Sequence, residues 1–137
     1  MTSRKEKFDN GSLGEELSSI AFDCIAKPSH GYDIITVDGI KGEVRTRTIN
    51  SDGKYPRLTL TPKKMAVSDF IVVIHFAQDL TVVRAILVET KYLKDLYKQY
   101  LQTKRKQAHI PWKKLAEHPK VLDVADLIIN ADDRDRV

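Results

Sequence analysis

Two neighbouring apolar segments of strand length constrain the fold of this 137-residue chain more than any other feature. The first covers residues 70–77 and the second residues 81–88, and a polar turn around Gln78 and Asp79 joins them. Apolar runs of this length, bounded by turn residues, are typical of buried strands. Neither approaches the roughly 18 consecutive apolar residues of a membrane-spanning helix. The pair therefore predicts a buried sheet in a protein that does not cross a membrane.

A second pair of strands is predicted on the amino-terminal side of these segments. Residues 31–37 and 43–48 flank the sequence Asp38-Gly39, and an Asp-Gly turn between β-rich runs indicates a hairpin. Residues 13–27, before the hairpin, carry apolar side chains at helical spacing. Further predicted elements are a short strand at 57–60, a short helix at 63–67, and helices at 91–104, 112–117 and 121–129. This order predicts an α+β sandwich with a mixed central sheet of four to five strands, flanked by helices.

Length and composition predict how the chain is organised. A chain of 137 residues with 42% apolar residues is expected to form one domain with a core of its own. We expect a flexible amino terminus at 1–11, a single domain at 12–130 and a polar tail at 131–137. The first residues are basic with no apolar segment behind them, so no signal peptide is expected. The single cysteine, Cys24, excludes an internal disulfide and indicates a reducing, cytoplasmic setting.

Positive charge is concentrated in residues 91–120, which we expect to form a basic, helical carboxy-terminal part of the domain. This segment contains nine lysines and arginines but only two acids, and tyrosines and a tryptophan are interleaved with the basic residues. This composition is typical of a surface that binds nucleic acid, although a solvated helix face would also explain it. The candidate phosphate contacts in this segment are Lys94, Lys98, Lys104, Arg105 and Lys106.

Two acids of the predicted hairpin are the best candidates for chemistry. Asp33 and Glu43 lie on strands joined by a tight turn, so their carboxylates are expected side by side. Adjacent carboxylates repel each other, and a hard divalent cation relieves the repulsion, with the Val44 carbonyl as a further ligand. Alternation along the strand places Arg45 and Arg47 on the Glu43 face, where a cation can stabilise charge on a phosphate. The alternative is that both acids form surface ion pairs with neighbouring cations.

The run GEEL…GYDIITVDGIKGEVRTRT, over roughly the first 90 residues, resembles the active-site half of the PD-(D/E)XK nuclease superfamily. The resemblance implies a restriction-endonuclease-like fold and a site that binds Mg²⁺ or Mn²⁺ and cuts phosphodiesters. It assigns Glu16 as the acid of the first helix, Asp33 as the strand acid, Glu43 as the glutamate of E-x-K, and Arg45 in place of its lysine. Glu16 lies at the edge of the apolar helix stripe, where it can approach the sheet.

Arginine at position 45 departs from the superfamily motif. Arginine keeps its proton and cannot act as a base, but it can pair with a phosphate and stabilise developing charge. Lys63 or Lys64, in the next segment, could supply the missing lysine. Together with Arg47, these two lysines are also candidate contacts to nucleic acid.

The expected activity is metal-dependent hydrolysis of phosphodiester bonds in nucleic acid. The protein is expected foremost to be a DNA endonuclease, and to act as a homodimer if it cuts two strands. The first alternative is a domain of the same fold that has lost catalysis and binds nucleic acid or a partner protein, which Arg45 favours. The second is a small interaction protein whose basic helix meets an acidic protein surface. His75, inside an apolar strand, is expected to be a structural histidine.

Overall fold

A computed structural model describes residues 10–27, 31–49 and 56–135 of the chain. The helices are α1 (Asn10–Phe22), α2 (Pro62–Val67), α3 (Lys94–Tyr100), α4 (Trp112–Glu117) and α5 (Ala125–Asp135), and a 3₁₀ turn covers Thr90–Leu93. The strands are β1 (Cys24–Ala26), β2 (Ile34–Thr36), β3 (Lys41–Thr48), β4 (Leu58–Leu60), β5 (Phe70–Phe76), β6 (Val82–Glu89), β7 (Leu101–Gln102), β8 (Gln107–Ile110) and β9 (Leu122–Asp123).

The central sheet is mixed and has the strand order β1-β2-β3-β5-β6-β9 within the described residues. Strands β3 and β5 are parallel, and the other neighbours are antiparallel. The predicted α+β architecture with a mixed central sheet flanked by helices is confirmed. The sheet has six strands rather than four or five, because the short strands β1 and β9 extend its two edges.

Two hairpins of the central sheet, β2–β3 and β5–β6, form where the sequence predicted them. The β2–β3 turn contains Gly39 with a φ of +85°, a left-handed conformation that glycine adopts without steric cost. Strands β5 and β6 pair along their whole length, and every residue of β5 is buried. The turn at the acid-bearing hairpin and the buried strand pair therefore follow directly from local sequence.

Helices α1 and α5 cover one face of the central sheet. Their buried side chains Leu13, Leu17 and Ile128 pack with Val44 and Val72 of the sheet in one apolar cluster. Because side chains alternate along a strand, this face carries Val44 and Thr46, and the opposite face carries Glu43 and Arg45. Glu43, Arg45 and Arg47 therefore share the face that is turned away from α1 and α5.

Gly14 of α1 lies directly against β3, and a Cβ placed on it would overlap Thr46 Cγ2. We expect Gly14→Ala to lower the free energy of unfolding by about 1–2 kcal/mol, because overpacking outweighs the gain in helix propensity. Urea denaturation measures the change. The double variant Gly14→Ala/Thr46→Ser removes the overlapping methyl and is expected to recover most of the loss; equal destabilisation of both variants would contradict this account.

A second sheet, with the order β4-β8-β7, lies over the other face of the central sheet together with α3 and α4. Leu58 and Ile110, which are partners across β4 and β8, pack against Ile71 and Val73 of β5. Leu115 of α4 belongs to the same buried cluster. The candidate site on the Glu43 face therefore lies between two layers.

In three places, residues that were predicted to be helical form β-strands in the structure. The helix expected at 13–27 ends at Phe22, because Asp23 is left-handed, with a φ of 54°, and the next residues pair with β2 as β1. The part at 91–120 is not purely helical, since β7 and β8 form a hairpin there that pairs with β4. The last helix begins at Ala125 and not at 121, because β9 pairs with β6 before it.

The polar tail predicted at 131–137 is helical up to Asp135, and Ala131 and Asp132 are buried. The carboxy-terminal acids up to that residue are therefore part of the folded domain. The flexible segment predicted at 1–11 lies outside the described residues except for its last two, which belong to α1.

Candidate active site

The β2–β3 hairpin brings Asp33 against the strand that carries Glu43. Asp33 directly precedes β2, and its backbone N–H donates to the Gly42 carbonyl at 2.9 Å. Its side-chain Oδ2 accepts a hydrogen bond of 2.9 Å from the Val44 backbone N–H. Asp33 thus contacts the backbone of Gly42 and Val44, the two residues that flank Glu43 on β3.

Glu43 is nearly enclosed, with a side chain only 2% exposed, and two cations reach it. Lys64 Nζ lies 2.9 Å from Glu43 Oε2. Arg45 Nη1 lies 3.7 Å from Glu43 Oε1, which is too long for a strong hydrogen-bonded pair. Of the two cations, Lys64 makes the closer contact.

Lys64 reaches the acid because of where α2 begins. Thr61 caps the helix by accepting a hydrogen bond from the Lys64 backbone N–H at its Oγ1, and Pro62 occupies the first turn. The sequence Thr-Pro-Lys-Lys therefore sets the start of the helix and the direction of the lysine. The Lys64 side chain is about three-quarters buried, so its contact with Glu43 is shielded from water.

Burial raises the pKa of the Glu43 carboxyl from 4.5 to about 7. The hydrogen bond and charge of Lys64 lower this pKa, the charge of Asp33 raises it, and the charge of Arg45 lowers it. Burial and the neighbouring acid outweigh the two cations in this balance. Negative charge at Glu43 is therefore costly near neutral pH, and an additional cation beside the two carboxylates would stabilise it.

The two carboxylates suit a divalent ion whose remaining ligands are water molecules and substrate phosphates. Within the described part of the chain, no group of three or more His, Cys, Asp or Glu side chains could hold a metal. Mg²⁺ is commonly bound by only one or two carboxylates, with waters and substrate phosphates completing its shell. Asp33 and Glu43 are chemically suited to that role, and the part assigned to the Val44 carbonyl stays a prediction.

Glu16 is carried by the helix on the other side of the sheet. Helix α1 packs on the face that carries Val44 and Thr46, whereas Glu43 extends from the opposite face. The described geometry therefore does not group Glu16 with Asp33 and Glu43 as a third acid. The catalytic role implied for Glu16 by the resemblance stays a prediction.

Arg47 lies on β3 of the central sheet, whereas the other lysines and arginines predicted to contact nucleic acid lie on or next to the second layer. Lys94 and Lys98 are exposed on α3, and Lys104, Arg105 and Lys106 form the exposed β7–β8 turn. Because Leu60 pairs with Ala108, this turn lies beyond the end of β4 that leads into α2. Lys63 is exposed at the start of α2. The basic turn and the lysines of α2 thus belong to the same end of the second sheet.

Arg84, which the sequence did not single out, lies further along the Glu43 face, in register with His75 and Arg47. Arg47 is the cross-strand partner of His75, and His75 is the partner of Arg84. The Arg84 guanidinium lies 5.0 Å from the ring centroid of Trp112, and the His75 and Trp112 rings are 4.6 Å apart. The register of the sheet and the packing of α4 bring these residues together, so no sequence window could have found them.

A comparison with protein-family models finds no match to the chain, and a comparison with curated proteins finds no relative. In the described part of the chain, no helix is both long and apolar enough to span a bilayer. Function is therefore inferred from the geometry and chemistry of the site.

Proposed function

We propose that the protein is a metal-dependent nuclease with a restriction-endonuclease-like fold of the PD-(D/E)XK type. The observation that carries the proposal is the buried Glu43 carboxyl, which Asp33 adjoins and whose Oε2 lies 2.9 Å from Lys64 Nζ. An enclosed acid with a pKa raised to about 7, next to a second acid, is typical of a functional site rather than of a surface ion pair.

Each residue of the site has a role in this proposal. Asp33 and Glu43 hold Mg²⁺ or Mn²⁺, which when bound supplies Lewis-acid activation of the phosphodiester and of water. Lys64 takes the place of the motif lysine and balances the charge that develops on the phosphate. Arg45, further from Glu43, pairs with a phosphate oxygen of the substrate.

The proposed substrate is DNA in the cytoplasm, and a second copy of the chain would allow both strands to be cut. Exposed apolar side chains near the β2–β3 hairpin, Val37 and Ile40, support an interface there. The basic turn at residues 104–106 supports a polyanionic substrate.

Calorimetric titration of Mn²⁺ tests the metal site without knowledge of the substrate. We expect the wild type to bind Mn²⁺, and Glu43→Gln and Asp33→Asn to lose at least tenfold in affinity. Because Glu43 must lose its proton, the apparent affinity should rise about tenfold per pH unit up to pH 7 and then level off. Glu117→Gln, which removes an exposed acid of α4, is the matched control. No binding by the wild type, even with a non-cleavable oligonucleotide present, would contradict the proposal.

The contact between Lys64 and Glu43 also favours the second candidate, a nuclease-fold domain that binds nucleic acid without cutting it. An ammonium 2.9 Å from the carboxylate already neutralises the acid that a metal would need. This candidate predicts nucleic-acid binding that is independent of Mn²⁺ and unaffected by Glu43→Gln. The same titration, repeated with an oligonucleotide, separates the two functions.

A further inference from the structure

A cavity of about 510 Å³ lies at one end of the central sheet, beside the residues already described for the candidate active site. Its walls come from the β2–β3 turn, the end of α2, the end of β6, the 3₁₀ turn and the start of α3. Sites that bind small molecules have volumes of roughly 300–1,000 Å³. The cavity is therefore large enough for a ligand of that size.

Two buried hydroxyl groups of the lining have no hydrogen-bond partner within the described part of the chain: Ser68 Oγ and Thr90 Oγ1. The two residues are only 4% and 5% exposed, and both line the cavity. A buried hydroxyl without a partner is costly, and native structures contain few of them. Because both hydroxyls belong to one cavity, a single polar ligand there would relieve both costs.

The charged side chains of the lining balance one another, since two acids, Asp69 and Glu89, are accompanied by Lys91 and Lys94. Lys91 Nζ lies 3.4 Å from Glu89 Oε2. Asp69 Oδ2 accepts a hydrogen bond of 2.9 Å from the Lys41 backbone N–H, which holds the carboxylate in one orientation. The lining therefore favours a neutral ligand with several donors and acceptors over an ion of either sign.

Apolar side chains supply the rest of the contact surface. Ile40, which is 45% exposed, and Met65 both line the cavity. A methionine side chain adapts its shape to its neighbour, and its sulfur makes favourable contacts with aromatic rings. A nucleobase has two apolar faces and an edge of donors and acceptors, so it offers both kinds of contact that this lining requires.

The cavity adjoins the candidate active site through two connections. Met65 follows Lys64 directly in α2, and the Asp69 backbone N–H donates to the Lys41 carbonyl at 2.7 Å. Lys41 lies two residues before Glu43 on β3, a spacing of about 6.6 Å, which one nucleotide can span. A base in the cavity would thus belong to a nucleotide next to the phosphodiester at Glu43.

We propose that this cavity binds an unstacked nucleobase of the substrate strand, and that it prefers bases with an exocyclic amino group. The inference rests on the proposed function for the class of ligand and adds a determinant of specificity. Proteins that recognise single strands take up bases that are turned out of the stack and read their edges. Carboxylates accept hydrogen bonds from base amino groups, whereas hydroxyls pair with any base. Asp69 therefore selects the base, and Ser68 and Thr90 complete its hydrogen bonds.

Saturation-transfer difference NMR with free deoxynucleosides tests the site without metal and without cleavage. The full chain is titrated with deoxycytidine and with deoxyuridine, which carry an amino group and an oxygen at the same ring position. We expect the wild type to bind deoxycytidine roughly tenfold more tightly than deoxyuridine. Asp69→Asn keeps an acceptor for the Lys41 N–H but loses the charge, so it should reduce this preference.

Ser68→Ala and Thr90→Val remove the two hydroxyls that have no partner. Each is expected to weaken the binding of deoxycytidine about threefold. Neither should lower the midpoint of urea unfolding, because no hydrogen bond of the protein is lost. Thr59→Val is the matched control, since the Thr59 hydroxyl lies 3.0 Å from His109 Nδ1 in the second sheet. It should lower the urea midpoint and leave the affinity for deoxycytidine unchanged.

Equal affinity for the two nucleosides, or binding that neither hydroxyl variant weakens, would overturn the inference. Binding of free deoxyribose with the same dependence on Ser68 and Thr90 would also overturn it, because the cavity would then recognise the sugar.

Oligonucleotides then place the base within a strand. Oligodeoxycytidine and oligodeoxyuridine of equal length carry the same phosphates, so a difference in affinity reports on the bases. In EDTA, on the chain carrying Glu43→Gln, we expect the first to bind more tightly and Thr90→Val to remove most of the difference. The absence of a difference would contradict a base site on the path of the strand.

Failure of the inference can be told apart from failure of the proposed nuclease. If deoxycytidine binds with the expected dependence on Ser68 and Thr90 while the wild type binds no Mn²⁺, the base site stands and the catalytic proposal falls. If Glu43→Gln abolishes Mn²⁺ binding while no nucleoside binds, the base site is wrong and the catalytic proposal stands.

Discussion

Glu43→Gln is expected to reduce the rate of metal-dependent DNA cleavage by roughly 10³-fold. Glutamine has the volume of the buried glutamate but no charge, so it removes a metal ligand without opening a cavity. The fold should survive, because the substitution also removes the cost of an enclosed acid. The measurement is single-turnover cleavage of a mixed-sequence plasmid and oligonucleotide pool in Mn²⁺, with circular dichroism to verify folding.

Two variants of the neighbouring cations sharpen this test. Lys64→Met is expected to lower cleavage by about 10²-fold and to move the pH optimum upward, because the cation that lowers the pKa of Glu43 most is gone. Arg45→Met should have a smaller effect on that pH profile, since its contact to Glu43 is 3.7 Å rather than 2.9 Å. Cleavage by Glu43→Gln at more than a tenth of the wild-type rate would rule out the site.

The second large effect concerns the dependence of stability on pH. In the folded state Glu43 keeps its proton up to about pH 7, whereas in the unfolded chain it loses it near pH 4.5. The folded state therefore binds more protons between these values, and the contribution of Glu43 to the free energy of unfolding falls as the pH rises from 4.5 to 7. The full loss is of the order of 3 kcal/mol, and it is complete above pH 7.

His75 acts in the opposite direction over much of the same range. Its pKa is lowered from 6.5 to about 4, so the unfolded chain binds the extra proton, and stability rises between pH 4 and 6.5. The two contributions oppose each other from pH 4.5 to 6.5. Wild-type stability alone would therefore conceal both of them.

Urea unfolding of the wild type and of Glu43→Gln, from pH 4 to pH 8, isolates the glutamate. We expect the free energy of unfolding of Glu43→Gln to increase by about 3 kcal/mol relative to that of the wild type as the pH rises from 4.5 to 7. Above pH 7 the difference should stay constant. Asp95→Asn, at an exposed acid of α3, serves as the control and should show no such trend. A difference between Glu43→Gln and wild type that is independent of pH would show that the Glu43 pKa is not raised.

Local sequence was sufficient to predict the β2–β3 hairpin and the buried pair of strands β5 and β6. The Asp38-Gly39 turn and the apolar runs on β5 and β6 act over a few residues, so their patterns predict structure without knowledge of the rest. The acid pair follows from the same hairpin, because Asp33 and Glu43 flank one turn. These elements account for the correct prediction of an α+β sandwich.

The second sheet could not be predicted in the same way. Strand β8 is separated by some 50 residues from β4, and its residues were included in a basic segment with helical propensity. Pairing with Leu58 and Leu60 buries Ala108 and Ile110, and this tertiary gain decides the local conformation. The contact of Lys64 with Glu43 depends on the same layer and appeared in the sequence only as one of two options.

The short connection between β4 and α2 has a consequence for communication within the domain. Only Thr61 separates the end of β4 from the helix that presents Lys64. A ligand that displaced the second sheet at the β7–β8 turn would shift this ammonium relative to Glu43 and so change the proton affinity of the acid. By reciprocity, the protonation state of Glu43 would alter the affinity for that ligand by the same factor. Capture of the polyanion and ionisation of the acid would then be allosterically coupled through four residues of chain.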